Sequence, residues 1–410
     1  MEFRIKIISM HICLVPGNFP TRSATFIREH ALGLIRRGHR VTVLSSGPGE
    51  GISAAELEEL SIQGIAMPVC KGLSGNKLRK LGQLVGLLCR KPSTIRWLRL
   101  SPPWHDPGAV SAIFQSEALA KLAPDIIHIH FGTLARQLHR IGFQRPVVVT
   151  WHGYDANMAP RFCGEGMFRD LFQAGWRHTV GSDFMRRRLI NLGAEEAYLS
   201  QIPMGIDLAA FPYWEKNREA GTPLRMLSVG RLDEMKGHCH LIQAVTELRE
   251  EGLDIILRIV GEGYLRGDLM AQIIQSESND HIQLLGALTS VEVSKEMESA
   301  HLFALTGVVA STGRVETQGV VFAEAQASGL PVIGSSIGGV SESLIDGETG
   351  RLCPPGDVAA IKEAIRFFER NRELIPEFGR RGRSFVEKYF SIDGMLDAFE
   401  YLYQKQITSC

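Results

Sequence analysis

The chain has 410 residues, of which 44% are apolar and 22% charged, with 45 Lys/Arg balanced by 45 Asp/Glu. A chain of that length is too long for one ordinary core and fits two domains of about 200 residues each. Its composition is that of a soluble globular protein: no run of 18 apolar residues exists to cross a bilayer, and the 7 scattered cysteines, with no Cys-x-x-Cys, read as reduced thiols of a cytosolic protein, excluding a disulfide framework or a zinc site. The charge balance hides an asymmetry: residues 1–205 carry 25 Lys/Arg and 15 Asp/Glu, and the remainder carries 20 and 30. A basic half joined to an acidic half points to an anionic partner for the first half.

In chain order, the opening stretch, interrupted by Arg4, Lys6 and His11, reads as a first strand over Ile5–Val15, not as a signal peptide. Phe26–Arg37 has helical apolar spacing and stops at Gly38, and Val41–Leu44 is a short apolar strand. Strands follow at Asp125–Ile129, Pro146–Thr150 and His178–Gly181. The cycle restarts after about residue 205 with a strand at Arg225–Val229 ending in Gly230-Arg231, a helix at His238–Glu250 and a strand at Ile255–Val260 ending in Gly261-Glu262-Gly263. Strands at His281–Leu285, His301–Leu305 and Pro331–Ile333 come next, with a helix near Val320–Ser328 between the last two. Strands alternating with helices predict parallel sheets covered on both faces. The expectation is α/β: two Rossmann-like domains in tandem, residues 1–205 and 206–389, with a linker near Pro203–Pro212 and an aromatic helix at Ser391–Gln404 packing back on the first domain. Ligands of such sheets bind beyond the carboxyl ends of the strands, where every Gly-bearing motif here lies.

One segment breaks this alternation. Lys71–Leu100 holds 8 basic residues and no acidic one, interleaved with Leu, Ile, Val and Trp97. A basic amphipathic helix of that kind can lie on an anionic bilayer, or it is a helical insertion whose apolar face packs on the protein. Nucleic acid is not expected as a partner, since no reading module or stacking platform accompanies the basic residues.

Chemistry concentrates between Gly230 and Val332. Glu316 and Glu324 lie eight positions apart, with Gly319 between them and Gly329-Leu330-Pro331 behind. On a helix that spacing is about 80° in angle and roughly 12 Å in rise, enough for two carboxylates to reach opposite ends of an elongated ligand. The backbone N–H groups of a helix start between them, around Gln318, Gly319, Val320 and Val321, suit an anion. Arg231 and Lys236 straddle the turn after Gly230 and can neutralise a diphosphate. A sugar joined to a nucleotide through a diphosphate has the matching shape and charge.

Gly230-Arg231-x4-Lys236-Gly237, Glu316-x7-Glu324, Ser328-Gly-Leu-Pro-Val-Ile-Gly334 and Gly338-Gly339-Val340-x-Glu342 together resemble the family 4 retaining glycosyltransferases of the GT-B fold, two Rossmann-like domains facing across a cleft. Pro203–Asp207 with Phe211 resembles that family's interdomain segment, and Arg37-Gly-His39-x-Val41 and Pro124–His128 match it more loosely. Phe19-Pro20, Ser23-x-Thr25-Phe26-Ile27 and His152-Gly153-Tyr154-Asp155 resemble the bacterial exopolysaccharide and colanic-acid-type members. The resemblance implies catalytic positions at Glu316, beside the donor sugar, and at His152, approaching the sugar and acceptor. It implies donor binding by Glu324 on the ribose hydroxyls, by Arg231, Lys236 and the backbone around Gln318–Val321 on the diphosphate, by Gly17, Asn18 and Gly230, and by Gly261, Gly263 and Leu288 around the base. His128, His130 and Asp155 fall in the acceptor region.

Alternate strand positions put His128 and His130 on one face, where a metal is conceivable. The chain has no Asp-x-Asp to hold a divalent ion, and Arg231 and Lys236 already supply cationic charge, so the pair reads as a strand-end histidine near the cleft plus a packed one, with no metal and no cofactor required. No nucleophile is identifiable, and the resemblance favours a front-side retaining reaction in which the leaving phosphate takes the acceptor's proton. The expected activity is transfer of a hexose from a UDP- or GDP-sugar to a growing lipid-linked exopolysaccharide or lipopolysaccharide acceptor, in the cytoplasm at the inner face of the membrane. A GT-B phosphorylase or epimerase, and a non-catalytic sugar-nucleotide-binding scaffold of a polysaccharide assembly complex, are the alternatives. Glu316, Glu324, Arg231 and Lys236 are all present, which favours the enzyme.

Overall fold

The apolar runs of the sequence become two all-parallel, six-stranded sheets. In the computed structural model, which describes residues 9–21, 25–70, 82, 85–86, 107–217, 219 and 221–409, the strands are β1 (His11–Val15), β2 (Arg40–Val43), β3 (Ile126–His130), β4 (Val147–Trp151), β5 (Arg177–Val180) and β6 (Leu199–Gln201), then β7 (Leu224–Val229), β8 (Ile255–Val260), β9 (Ile282–Gly286), β10 (Leu302–Leu305), β11 (Val332–Ser335) and β12 (Gly350–Cys353). The first sheet has the order β2-β1-β3-β4-β5-β6 and the second β12-β11-β10-β7-β8-β9. Strands covered on both faces by helices are buried along their whole length, as β3 and β4 are here. The two strands that sequence reading missed, β6 and β12, are short, and Leu199-Ser200-Gln201 and Gly350-Arg351-Leu352-Cys353 have no apolar run to announce them.

The described residues group into two compact units: Met1–Val180 with Arg188–Ile202 and Leu396–Cys410, and Gly181–Arg187 with Pro203–Met395. The chain thus enters the second unit briefly after β5, returns for β6, and comes back to the first unit with its last helix, Ile392–Thr408.

The motif Arg37-Gly38-His39 is explained by that helix. Arg37 Nη1 and His39 Nε2 both donate to the carboxylate of Glu400, each at 3.0 Å, and Glu400 is only 2% exposed. His39 Nδ1 accepts the N–H of Met10, so its proton is on Nε2, as the bond to Glu400 requires. Gly38, with φ +86°, makes the left-handed turn between the two side chains. The second unit's core is Leu241, Ile242, Val245, Leu257, Ile259 and Phe368 among others, sandwiching its sheet. The basic segment Lys71–Leu100 lies outside the described residues apart from isolated positions, and among the described residues no helix is long and apolar enough to cross a membrane.

Candidate active site

In the second sheet the strand order reverses between β7 and β10, which are neighbours although β8 and β9 separate them in sequence. Chain segments leaving such a pair diverge and open a crevice at their carboxyl ends, the usual ligand position of an open α/β sheet. The segment after β7 carries Gly230, Arg231 and Lys236; the segment after β10 carries Glu316 and leads into the helix Val320–Ala327. The ε-ammonium of Lys236 is paired with Glu316 Oε2 across the crevice, with side chains only 14% and 16% exposed. Burial alone would raise the Glu316 carboxyl, but Lys236, by charge and hydrogen bond, together with the Thr317 N–H and Arg231, brings it below the ordinary carboxylate value.

Glu316 is not on a helix. Gly319, with φ +77°, is the left-handed residue before the helix, and regular turns begin at Val320. The helical angle and rise expected between Glu316 and Glu324 therefore do not apply: Glu316 sits on the loop and reaches Lys236, and Glu324 sits one turn into the helix. Its carboxylate has no hydrogen-bond partner among the described residues, and burial pushes it up to about 7. Arg231 is 56% exposed and 3.4 Å from Asp233, whose same oxygen accepts from Arg314 at 2.8 Å.

The loop between Glu316 and Gly319 is pinned by its carbonyls. Glu316 C=O accepts the N–H of Gly339 at 3.0 Å, Thr317 C=O accepts Ser182 Oγ at 2.6 Å, and Gln318 C=O accepts Ser343 Oγ. In a trans peptide the N–H points opposite to the C=O, so each of these bonds turns the N–H of its own peptide away from the carbonyl's partner; the Thr317 N–H donates to Glu316 Oε1 at 3.2 Å, which leaves those of Gln318 and Gly319. The first-turn N–H groups of Val320 and Val321 have no acceptor within their own helix. Gly338 and Gly339 are needed for this fit: a Cβ would lie 2.0 Å from Glu316 O at the first and 1.9 Å from Thr317 O at the second. Gly230, Gly261 and Gly263 also come together. A Cβ on Gly261 would meet Gly230 O at 1.9 Å, and one on Gly263 would meet Leu232 O at 2.3 Å, so these glycines let two strand-end loops lie on each other. Leu288 is partly buried against the neighbouring core.

In the first unit the order reverses between β1 and β3. Gly17 and exposed Asn18 follow β1; a Cβ on Gly17 would meet nothing within 4 Å, so the protein's own packing does not demand a glycine there. His128, His130 and His152 assemble with His30, which sequence reading missed. Its burial on the inner face of helix Thr25–Arg36, beside Ile27, Ala31 and Leu34, was the available signal. Tyr403 OH lies 2.6 Å from His128 Nδ1 and 3.3 Å from His30 Nε2, and His128 Nε2 lies 2.6 Å from Thr150 Oγ1. His130 Nδ1 and His152 Nε2 share a hydrogen bond at 3.0 Å. Burial drives His30 and His152 down to about 3 and holds His128 and His130 well below the ordinary histidine value.

Both strand histidines are buried, and His130, at the end of β3, is hydrogen-bonded to His152. The ring nitrogens of His30, His128 and His130 lie within 4.8 Å of one another. The His128 and His130 rings stack at 4.5 Å between centroids and 16° between planes, and the buried His30 Nδ1 and His130 Nε2 have no hydrogen-bond partner among the described residues. Asp155, in the turn after β4, spends its carboxylate on backbone N–H groups. It is fully buried and accepts the N–H groups of Gly132, His152, Gly153 and Ala156 at 2.8, 3.2, 2.9 and 3.1 Å, which fixes the turn that carries His152.

Two family models cover most of the chain in tandem: "Glycosyltransferase Family 4" over residues 23–210 and "Glycosyl transferases group 1" over residues 213–385. The chain belongs to the GT-B glycosyltransferases. This glycosyltransferase is 26% identical to a putative colanic acid biosynthesis glycosyltransferase, WcaL, of Salmonella typhimurium, over 91% of this chain and 94% of that one. It is 27% identical to the amylovoran biosynthesis glycosyltransferase AmsK of Erwinia amylovora, over 90% and 93%. In fold it matches the crystal structure of Anabaena HepE in complex with UDP and glucose, with a TM-score of 0.72 at 16% identity, over 97% of this chain and 100% of that one. It is thus related to transferases of exopolysaccharide biosynthesis.

Proposed function

We propose that this glycosyltransferase moves a hexose, with retention of anomeric configuration and without a divalent metal, from a UDP- or GDP-sugar to a growing lipid-linked exopolysaccharide or lipopolysaccharide acceptor. The observation that carries the reading is the Lys236–Glu316 pair at the strand-order reversal, beside a helix start with outward N–H groups and a Glu324 carboxylate without a partner among the described residues. Lys236, Arg231 and the N–H groups of Gln318–Val321 neutralise the diphosphate as it leaves, which is where charge develops in the transition state. Glu324 accepts from the ribose hydroxyls. Glu316 faces the donor sugar and supports the positive charge that grows on its anomeric carbon. The departing phosphate oxygen takes the acceptor hydroxyl's proton on the same face, so the protein's contribution is orientation and leaving-group stabilisation. His152, neutral at working pH, serves as a hydrogen-bonding group near the sugar, with no role as an acid.

The names of the relatives support the acceptor class: one is a putative colanic acid transferase and the other an amylovoran transferase. The structural relative's complex with UDP and glucose supports a nucleotide-sugar donor. The basic run Lys71–Leu100, as a membrane-facing element, supports work in the cytoplasm at the inner face of the membrane. Calorimetric titration with UDP, GDP and ADP, first in EDTA and then with magnesium, tests the donor site. Tight binding of one of them in EDTA is the expected result. Binding of none, or only with magnesium, would refute the metal-independent reading.

A further inference from the structure

We infer that Ser182 and Gln318 are positioning residues of this transferase: their side chains hold the loop Glu316–Gly319 so that the N–H groups of Gln318 and Gly319 face the donor's diphosphate. The inference rests on the donor reading above and adds two side chains that touch no substrate. Ser182 Oγ donates to Thr317 C=O at 2.6 Å, the carbonyl whose peptide carries the N–H of Gln318. The Gln318 side chain is 7% exposed and points away from the ligand face. Its Oε1 accepts the Met204 N–H and its Nε2 donates to the Met204 C=O, both at 2.9 Å, in the pattern of a strand-to-strand pair. Both hydrogen-bonding ends of the amide are therefore satisfied, and the residue can hardly turn without leaving a buried polar group unpaired. Gly181 leaves the room for this: a Cβ there would lie 2.3 Å from Gln318 Oε1.

Ser182 and Met204 belong to Gly181–Arg187 and to the start of Pro203–Met395, the two places where the chain first enters the second unit. Glu342 secures the first of these further by accepting the N–H groups of Asp183 and Phe184 at 2.7 and 3.0 Å. The anion-facing loop is thus fixed from behind by segments distant in sequence, as 135 residues separate Ser182 from Thr317. Preorganised N–H donors stabilise a developing anion only if they need not reorganise, so a loosened loop loses diphosphate binding and rate while leaving nucleoside recognition intact.

The test uses the full-length Ser182→Ala, Ser182→Thr and Gln318→Glu variants, titrated with UDP, GDP, uridine and guanosine, with melting temperatures and kcat and KM measured alongside. Ser182→Ala and Gln318→Glu should each weaken binding of the nucleoside diphosphate about tenfold or more and lower kcat, with the nucleoside's affinity unchanged. Ser182→Thr, which keeps the hydroxyl, should restore wild-type values. If Gln318→Glu does not fold, Ser182→Ala carries the test, since it removes a single hydroxyl. Variants that melt earlier but bind diphosphate and turn over as the wild type does would overturn the positioning roles, and so would equal losses for nucleoside and diphosphate. A wild-type chain that binds neither UDP nor GDP would overturn the donor reading itself, and these roles with it.

Discussion

The carboxylate of Glu316 and the ammonium of Lys236 neutralise each other when no donor is present. An incoming diphosphate must compete with Glu316 for the lysine, and it also meets the repulsion of a carboxylate that its neighbours keep ionised. The Glu316→Gln variant keeps the side chain's size and removes the charge. Nucleoside diphosphate affinity should rise several-fold, because Lys236 is freed, while transfer falls by roughly 100-fold or more because the support for positive charge at the anomeric carbon is gone. Binding is read by calorimetry and transfer by product formation; weaker binding together with wild-type turnover would refute both roles.

At the scale of elements, the last helix is fastened by one buried carboxylate. Glu400→Ala leaves Arg37 and His39 without their shared acceptor, and removing one partner of a buried ion pair costs about 3–5 kcal/mol. Denaturant unfolding should show a loss of that size, with protease cleavage first appearing in Ile392–Thr408. Asp397→Ala, which removes the other acceptor of Arg37, at 70% exposure, should cost under about 1 kcal/mol. If the two variants were equally stable, Glu400 would not be the anchor.

These same elements mark how far the sequence can be read. The helix His238–Glu250 and the strand Ile255–Val260 follow directly from apolar periodicity and Gly stops, and both form with those bounds. Gly230, Lys236, Glu316 and Glu324 were legible because strand ends and helix starts are local features. What Arg37 and His39 bind was not legible, because their partner lies more than 360 positions away and a solitary Glu400 on a helix looks solvated. The bonds of Asp155 were not legible for a related reason: a carboxylate saturated by four backbone N–H groups has the same sequence signature as a free one. Glu316 was set on a helix because spacing alone does not reveal that Gly319 takes a left-handed conformation.

For the molecule as a whole, buried histidines set the response to acid. His30, His152 and His178 are lowered to about 3 and His238 to about 4, in each case chiefly by burial. An unfolded histidine binds a proton near pH 6.5. Between that pH and the folded values the unfolded chain holds more protons, so stability is fully present above about 6.5 and is lost as pH falls. Each histidine that stays neutral in the fold contributes up to about 2 kcal/mol of this loss by pH 5. Glu324, raised to about 7, has the opposite sign, since its burial costs stability as pH rises towards that value, but it is one group against several. The carboxylates held low, such as Glu247 and Glu251, lose their contribution only below about pH 4.5. Thermal unfolding at pH 7.5, 6 and 5 should therefore show a steady drop over a range in which ordinary carboxylates are silent; a flat or rising profile would mean that the histidines are solvated.

The split of the first unit between the two ends of the chain bears on how the protein is made. Tyr403 meets His128 across 275 positions of sequence, and Glu400 meets Arg37 across a still longer span. A ribosome delivers the whole of Pro203–Met395 before it delivers Leu396–Cys410. The half translated first must wait with an open groove over His30 and His128, and the half translated second can close its core beforehand, so the usual order of co-translational folding is inverted. During that wait the uncovered groove is a natural landing place for a chaperone, and a chain halted before Leu396 would carry one finished half and one unfinished.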